Sequence, residues 1–575
     1  MPLDYESLPR EYRRRFLTEG VDPADWGQLE SYFGKLQERQ ILSVADLESW
    51  LEDYSELLSA VSEAASIRFI RTTEMTDKKE YRDAYASFVE NVEPRVKVAQ
   101  FGLNRKFVGS EFRSMLPSDR YGVLEKKIEN SVRIFRESNV ELEMEERRLQ
   151  QQHQSITGAM TVSYEGQERT VPEMSKYLES TFAAQREEAW RLTQARYAQD
   201  RVRLDDIFDR MVAVRDKIAR NAGFSNYRDY SFVSRERFDY GPDDCFRFHD
   251  AVEKHIVPLV REVYRRRQEQ QGLGSSRPWD IVANPPGTSP LAPFSGTDEL
   301  VERCEQIYSR VDSAFSSCFR RMVQLGLLDL ESRSGKAHGG YETELLELRL
   351  PFIFMNSVGR DQDMRILFHE SGHAFHVFGT RDANLNYLYR SENIPAEIAE
   401  VASMSMELLA GEHIKGVFYS EAEAARSRYD HVLSIARLLP WISTIDAFQH
   451  WVYTNPGHTR EDRADAWVKI YDRFSPGFDW DGLEEEKRYQ WHHQTHLFQT
   501  PFYYFEYGVA QLGSLGVWMR YQRNPKEAVD AFKAALALGG SRPLPELFNR
   551  AGLPWDFGEG VVGNCGAELR RILLT

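Results

Sequence analysis

The run Phe368-His369-Glu370-Ser371-Gly372-His373-Ala374-Phe375-His376 contains His-Glu-x-x-His. Residues four apart share one face of an α-helix, so His369 and His373 can present two imidazoles to one metal ion. Glu370 follows the first histidine directly. Its carboxylate then lies beside the ion and reaches a water there rather than the ion itself. Two imidazoles with a neighbouring carboxylate and no thiol favour zinc over other metals.

A catalytic zinc needs a third protein ligand and an open position. His376 lies about two helical turns from His369 along the axis, too far to share the ion. A glycine at position 376 and a histidine at position 379 would make the metzincin pattern. The chain has His376 and Gly379, which excludes that class. The better source is the stretch from Ser391 to Glu407. Pro395 can start a helix, and Glu397, Glu400 and Glu407 then share a face. Ile398, Val401, Met404, Met406 and Leu408 make the other positions apolar. Acidic groups facing a buried helix pair need a partner, and a metal supplies one. A solvated acidic stripe is the bland alternative, and the adjacent His-Glu-x-x-His weighs against it.

A third run, Trp491 to Gly508, is rich in histidine and tyrosine. Attack of a metal-activated water on a carbonyl group would build negative charge on the carbonyl oxygen. Neutral Tyr O–H and His N–H donors stabilise that charge without competing for the metal. An aromatic core helix is the alternative, since buried aromatics commonly just pack.

These residues need rigid elements. Met364, Leu367, Phe368, Phe375 and Phe378 recur at helical spacing around the motif, Asp361 or Asp363 can cap the start, and Gly379 can stop the helix. Glu347 to Met355 reads as β and predicts a small sheet beside that helix. Residues 1–155 read as successive helices. Asp22-Pro23-Ala24-Asp25 looks like a cap with Pro at the first helical position, and Ser43 opens a helix with an apolar stripe from Leu47 to Val61. Thr76 is a candidate cap for a third helix, and Glu141 to Gln154 reads as a solvated helix end. Met160 to Val171 predicts a short hairpin turning at Glu165-Gly166-Gln167. Residues 173–265 and 412–480 are helical in pattern, and 271–298 hold many Gly, Pro and Ser and read as a long loop. Closing helices follow Pro525, with turns at Gly539-Gly540 and Gly558.

Two stretches together resemble a known family. His369-Glu370-x-Gly372-His373-x-x-His376, followed by Glu400-Val401-Ala402-Ser403-Met404-x-x-Glu407, is similar to the thimet oligopeptidase and oligoendopeptidase F family of zinc metallopeptidases. Pro351 to Asn356 and Asp363 resemble the bacterial oligoendopeptidase branch. Ala222 to Tyr230 and Arg277-Pro278-Trp279-Asp280 also resemble family segments, although a helix cap and reentry accounts for the first. The resemblance is concentrated in residues 220–510. It implies a mainly α, zincin-like fold: two helical lobes around a deep substrate channel, with a small antiparallel sheet next to the zinc-binding helix. The division it implies is an N-terminal helical lobe with the hairpin over 1–200 and a catalytic lobe over 201–575, its zinc-binding core at about 335–510.

The resemblance implies one zinc ion per chain, held by His369, His373 and Glu400, with Glu397 as the alternative third ligand. Glu407 would hold a ligand histidine, a task some group must perform. Glu370 would be the general base. His496, Tyr503 and Tyr507 best match the family's oxyanion donors, with Tyr504 in place of Tyr503 and His493 in place of His496 left open by the spacing. The sheet's edge strand would pair with the substrate backbone, placing Gly339, Gly340 and Tyr341 at the substrate. The expected substrates are short unfolded peptides. A zinc carboxypeptidase on a similar scaffold is the nearest rival and would need a cation to grip the substrate carboxylate. A non-enzymatic metal- or peptide-binding protein has no use for Glu370.

Composition narrows the field. The 575 residues are 42% hydrophobic and 28% charged, ordinary for a globular chain, and the net charge of −16 argues against a basic nucleic-acid surface. Cys245, Cys304, Cys318 and Cys565 form no Cys-x-x-Cys pair and read as free thiols of a reducing compartment. The opening Met1-Pro2-Leu3-Asp4-Tyr5-Glu6 lacks an apolar signal region, and no stretch approaches a membrane span. The expectation is a cytoplasmic protein with no nucleic-acid or membrane partner.

Overall fold

The computed structural model describes residues 3–284 and 287–575. Met1 and Pro2 of the opening run, and Pro285 and Pro286 of the expected long loop, lie outside the described residues. The fold is mainly helical, with two small sheets. No helix among the described residues is long and apolar enough to cross a membrane. Contacts group the chain into two units, each made of three segments. The first is Met1–Arg133, Leu291–Arg428 and Ala510–Trp555; the second is Ile134–Pro290, Tyr429–Val509 and Asp556–Thr575. A division at residue 200 falls within one continuous helix, Ala183–Asn221.

In the first unit, Ser43 caps the helix Val44–Glu74 by accepting a hydrogen bond from the Asp46 N–H at 3.1 Å. Its predicted stripe of Leu47, Trp50, Leu51, Tyr54, Leu57, Leu58 and Val61 is buried. Two expected caps belong elsewhere. The helix expected at Pro23 begins at Trp26, capped by Asp25, while Asp22 holds the preceding turn through the Ala24 N–H at 2.9 Å. Thr76 caps nothing: its hydroxyl donates to the Gly335 carbonyl at 3.0 Å, and the third helix starts at Lys79.

The sheet of this unit has three strands, β3 (Leu328–Glu331), β4 (Tyr341–Leu345) and β5 (Leu350–Ser357), in the order β3-β5-β4. The sheet is mixed rather than antiparallel. Strand β4 runs antiparallel to β5 with Tyr341 opposite Phe354, but β3 runs parallel to it. Central β5 is buried on both faces along almost its whole length, as its near-continuous apolar run requires. Strands β4 and β5 pack on the histidine helix, Asp361–Asp382. Asp363 fastens the start of that helix, accepting from the Val358 and Arg360 N–H groups at 2.7 and 3.0 Å. Gly379 does not end it. A Cβ there would meet Ala537 and Leu536 at 3.6–3.7 Å, an ordinary contact distance, so neither a cap nor tight packing demands glycine.

In the second unit, Thr161–Tyr164 (β1) and Gln167–Thr170 (β2) form the predicted hairpin, with positive φ at Glu165 and Gly166 as a two-residue primed turn demands. The long helix Ala183–Asn221 ends at Ala222, with Gly223 at φ +90° and the Phe224 N–H bonded back to the Ala219 carbonyl. Asn226 then caps Tyr227–Ser234, so this stretch is a helix stop and reentry. Arg277-Pro278-Trp279-Asp280 is a structural hook: Asp280 caps its own turn through the Arg277 N–H at 2.9 Å and forms a buried ion pair with Arg186 at 2.6 Å.

Candidate active site

His369 and His373 project from one face of their helix toward the helix Ala396–Gly411, whose non-helical cap residue is Pro395. The two helices meet very closely. A Cβ built on Gly372 would lie 2.5 Å from both the Ala402 carbonyl oxygen and the Ser403 Cα. No side chain fits there, so glycine between the two histidines sets the separation across which Glu400 must reach.

Glu400 Oε2 lies 3.5 Å from His369 Nε2 and 3.8 Å from His373 Nε2. One donor atom from each of these residues falls within 4.8 Å of the others. Side-chain exposures of 26% for His369 and 19% for His373 leave the group accessible on one side. Glu407 lies outside that group and does a different job: its carboxylate accepts from His369 Nδ1–H at 2.7 Å. That bond places a proton on Nδ1 and leaves Nε2, on the Glu400 side, as the nitrogen a cation would take. Ser403 donates to Glu400 Oε2 at 3.0 Å and to the Glu400 carbonyl at 3.1 Å, which orients the carboxylate. Glu397 is buried one turn earlier and is not in the group. His376 is buried elsewhere on the helix, its imidazole pushed down to about 4 by burial. Two imidazoles and one carboxylate, converging and externally oriented, are the donor set a zinc ion takes.

Glu370 is buried beside this group. Burial lifts its carboxyl to about 7; the His369 charge opposes the rise and the Glu400 charge adds to it. At His369, burial acts downward, but the hydrogen bond and charge of Glu407 outweigh it and raise the imidazole to about 9. The carboxylates therefore make a negative site for a cation. On the sheet side, Gly339 has φ +104°, a conformation that favours glycine, and its carbonyl accepts from Asn356 Nδ2 at 3.0 Å. Gly340 leads into β4, where Tyr341 stacks on Phe354 with centroids 4.9 Å apart and bonds Thr73 through its hydroxyl at 2.6 Å. Strand β4 is the sheet's edge.

The histidine- and tyrosine-rich run lies in the second unit. The His496 ring lies 4.8 Å from that of Tyr504, 6.1 Å from Tyr507 and 6.4 Å from Tyr503, all four side chains being half-buried. His493 instead stacks on Tyr197 at 3.8 Å, with burial pushing its imidazole down to about 3. The proton on His496 follows from its neighbours. Trp441 Nε1–H can only donate, and Gln494 Oε1 accepts from it at 2.9 Å. The amide nitrogen of Gln494 must then donate to His496 Nδ1, 2.7 Å away. Burial keeps this imidazole neutral, so its one proton is on Nε2, making it a hydrogen-bond donor.

Sequence reasoning missed this Trp441–Gln494 relay, because the two residues are far apart in the chain and neither carries a motif. It also missed Phe502, whose backbone takes a left-handed φ of +65° just before Tyr503. Gln449 accepts from the Phe502 N–H and Arg237 donates to its carbonyl, fixing the start of the helix Tyr504–Arg523.

A model of peptidase family M3 matches residues 176–560, and a model of the peptidase M3 N-terminal domain matches residues 18–135. The oligoendopeptidase F homolog of Borreliella burgdorferi is 22% identical over 353 residues, covering 57% of this chain and 57% of that protein. The alignment thus spans a little over half of that relative. Among solved structures, PZ peptidase A with inhibitor 2 superposes with a TM-score of 0.87 at 29% identity, covering 98% of each chain. An oligoendopeptidase-F from Enterococcus faecium shares the fold at a TM-score of 0.64 and 13% identity over 96% of each chain. Members of the matched family are metallopeptidases and generally zinc-dependent. With the main family model covering two thirds of the residues, and with the helices Asp361–Asp382 and Ala396–Gly411 inside the match, the chain belongs to peptidase family M3.

Proposed function

We propose that this chain is a zinc-dependent endopeptidase of short, unfolded oligopeptides. The observation that carries this reading is the convergence of His369, His373 and Glu400 with a buried carboxylate, Glu370, beside them. His369, His373 and Glu400 would hold one zinc ion, and Glu407 fixes the tautomer of His369. A bound zinc supplies Lewis acidity, polarising a carbonyl and acidifying a water.

Everything else is done by side chains. Glu370 takes the proton of the attacking water and returns it to the leaving amine. Its elevated carboxyl suits both acceptance and return near neutral pH. His496, Tyr503 and Tyr507 donate neutral hydrogen bonds to the developing oxyanion; the Nε2–H of His496 is available because Gln494 occupies Nδ1. Tyr504 is the nearer ring to His496 and remains the alternative to Tyr503. Gly339, Gly340 and Tyr341 lead into edge strand β4, whose backbone can pair with an extended peptide and so read peptide geometry rather than side-chain identity. By the family resemblance, which implies a substrate channel that excludes folded proteins, the substrates would be short and unfolded. Four unpaired cysteines fit a reducing, cytoplasmic setting.

The test is digestion of a mixed peptide library by the purified zinc-loaded chain, read by mass spectrometry. Internal cuts in short peptides are expected. Stepwise loss of C-terminal residues would replace this reading with a carboxypeptidase, and no cleavage at full zinc occupancy would overturn it.

A further inference from the structure

A second group of metal-ligating side chains lies in the second unit, within its core. The helix Pro242–His255 carries Cys245 and His249, four residues apart and therefore on one face. The helix Glu421–Thr454 carries Asp446 and His450 at the same spacing. The two faces meet. His249 Nε2 lies 2.9 Å from Asp446 Oδ2, and His450 Nε2 lies 3.2 Å from that same oxygen. Donor atoms of Cys245, Asp446 and His450 all fall within 4.8 Å of one another. Donors around a tetrahedral zinc, with bonds of about 2.0–2.3 Å, stand about 3.2–3.8 Å apart.

We propose that Cys245, His249, Asp446 and His450 form a second metal site, a closed four-ligand site for zinc or a divalent cation of its class.

Burial separates this group from a chance surface cluster. Relative exposures are 0% for Cys245, 1% for His249, 0% for Asp446 and 3% for His450. Aromatic rings wall it off, with Phe246 at 4.8 Å, Phe502 at 5.4 Å and Phe232 at 5.8 Å from the His450 ring, and Phe474 at 6.0 Å from His249. Yet polar atoms inside this shell have no hydrogen-bond partner: both ring nitrogens of His450 and Oδ1 of Asp446. The 3.2 Å approach of His450 to Asp446 is close without the alignment of a hydrogen bond, which is how two ligands of one ion face each other. Buried polar groups are ordinarily satisfied, and one cation would engage the Asp446 carboxylate and one ring nitrogen of His450.

The charges balance. One thiolate and one carboxylate neutralise a dication, and the two imidazoles bind as neutral ligands. In the metal-free alternative, His249 Nε2 shares a hydrogen bond of 2.9 Å with Asp446 Oδ2. That arrangement leaves Asp446 Oδ1 and both His450 nitrogens without a partner and gives Cys245 no part. Four protein ligands leave no open coordination position, and the shell admits no substrate. The site is therefore structural: it ties together two helices that are about 200 residues apart in the chain.

Cobalt tests this independently of any peptidase activity. The His369, His373 and Glu400 group contains no thiol, so a thiolate-to-cobalt charge-transfer band in the near ultraviolet reports the second site alone. The chain and its His373→Ala variant are produced in medium with Co²⁺ replacing Zn²⁺. Both should show the band, with about one cobalt per chain remaining in the variant, and Cys245→Ser should abolish it. Absence of the band in the folded chain overturns the proposal. So does its persistence in Cys245→Ser, because another thiol is then the ligand. X-ray absorption on the zinc-loaded His373→Ala protein needs no substitution in the cluster. One sulfur at about 2.3 Å with nitrogen and oxygen at about 2.0–2.2 Å is expected, and a sulfur-free shell or a metal-free protein overturns the assignment.

Discussion

The two histidine–carboxylate groups are built from the same local device and differ in what surrounds it. Each uses side chains four residues apart on one helix, completed from a second helix. At His369 and His373 a fifth to a quarter of each side chain is open, and an extra carboxylate, Glu370, stands beside the ligands without joining them. At Cys245 and Asp446 nothing is open and no spare base is present. The open group offers three protein donors, and the closed group, as proposed, offers four with His249. Chemistry on a substrate therefore depends less on the ligand types than on one missing ligand and one group held back from coordination.

Glu370→Gln tests this contrast most strongly. The amide keeps size and shape but accepts no proton, so kcat should fall about 10²–10⁴-fold while zinc content stays at the wild-type level, measured by steady-state cleavage of a quenched fluorescent peptide with parallel metal analysis. Cys245→Ser should instead leave kcat near wild type and lower the thermal midpoint. If it abolished turnover while the fold stayed intact, the division between open and closed groups would be lost.

The oxyanion donors come next. Tyr507→Phe and Tyr503→Phe keep the ring and remove only a hydroxyl. A hydroxyl that meets the oxyanion should cost about 10²–10³ in kcat with little change in KM. Wild-type rates in both variants would reduce this run to packing and leave the metal group untouched.

Glu407→Gln should weaken zinc affinity or activity about 10–100-fold, because His369 loses the acceptor that fixes its tautomer. Competition with a chromophoric chelator measures it. Unchanged affinity would show that the helix alone positions His369.

The smallest effect is a change of pH profile. In Gln494→Glu a carboxylate faces His496 Nδ1, draws the proton there and raises the imidazole from its burial-depressed value. Above the raised value the ring is neutral with Nε2 bare, so the donor is lost. Below it both nitrogens carry protons and the donor returns. The activity of the variant relative to wild type should therefore rise as pH falls from about 8 to about 6. A ratio that is flat with pH would remove His496 from the oxyanion site.

What was legible in the sequence follows the range of the interactions. His369 and His373 are set by one helical turn, so their shared face, with Glu370 beside it, could be read directly. Glu400 needed the family resemblance, because its reach depends on how closely two helices cross. That crossing is encoded at Gly372, where only the absence of a Cβ admits Ala402 and Ser403. The buried group was not legible: Cys245 with His249, or Asp446 with His450, is an unremarkable pair until a fold brings the two together. Gly379 misled as a helix stop because a glycine inside a helix looks the same in sequence as one that caps it, and this helix runs on to Asp382. The mixed sheet escaped for a similar reason. Alternation and apolar runs identify strands, but only the chain path decides that β3 joins β5 in parallel.

The three-segment construction of each unit bears on synthesis. The core of the first unit joins Leu29, Trp50 and Phe107 to Tyr387, Leu388 and Tyr389, and its last segment ends at Trp555. From Arg133 to Trp555 a ribosome adds 422 residues. At about 5–20 residues per second that takes about 20–80 s. Tyr387, Leu388 and Tyr389 are made part way through that interval, and until then the apolar faces of the N-terminal helices lack these partners. Chaperone occupancy on the growing chain should be high until the final segment emerges. No single cut releases either unit whole, so a chain stopped at Arg428 would be a substrate for quality control rather than a smaller enzyme.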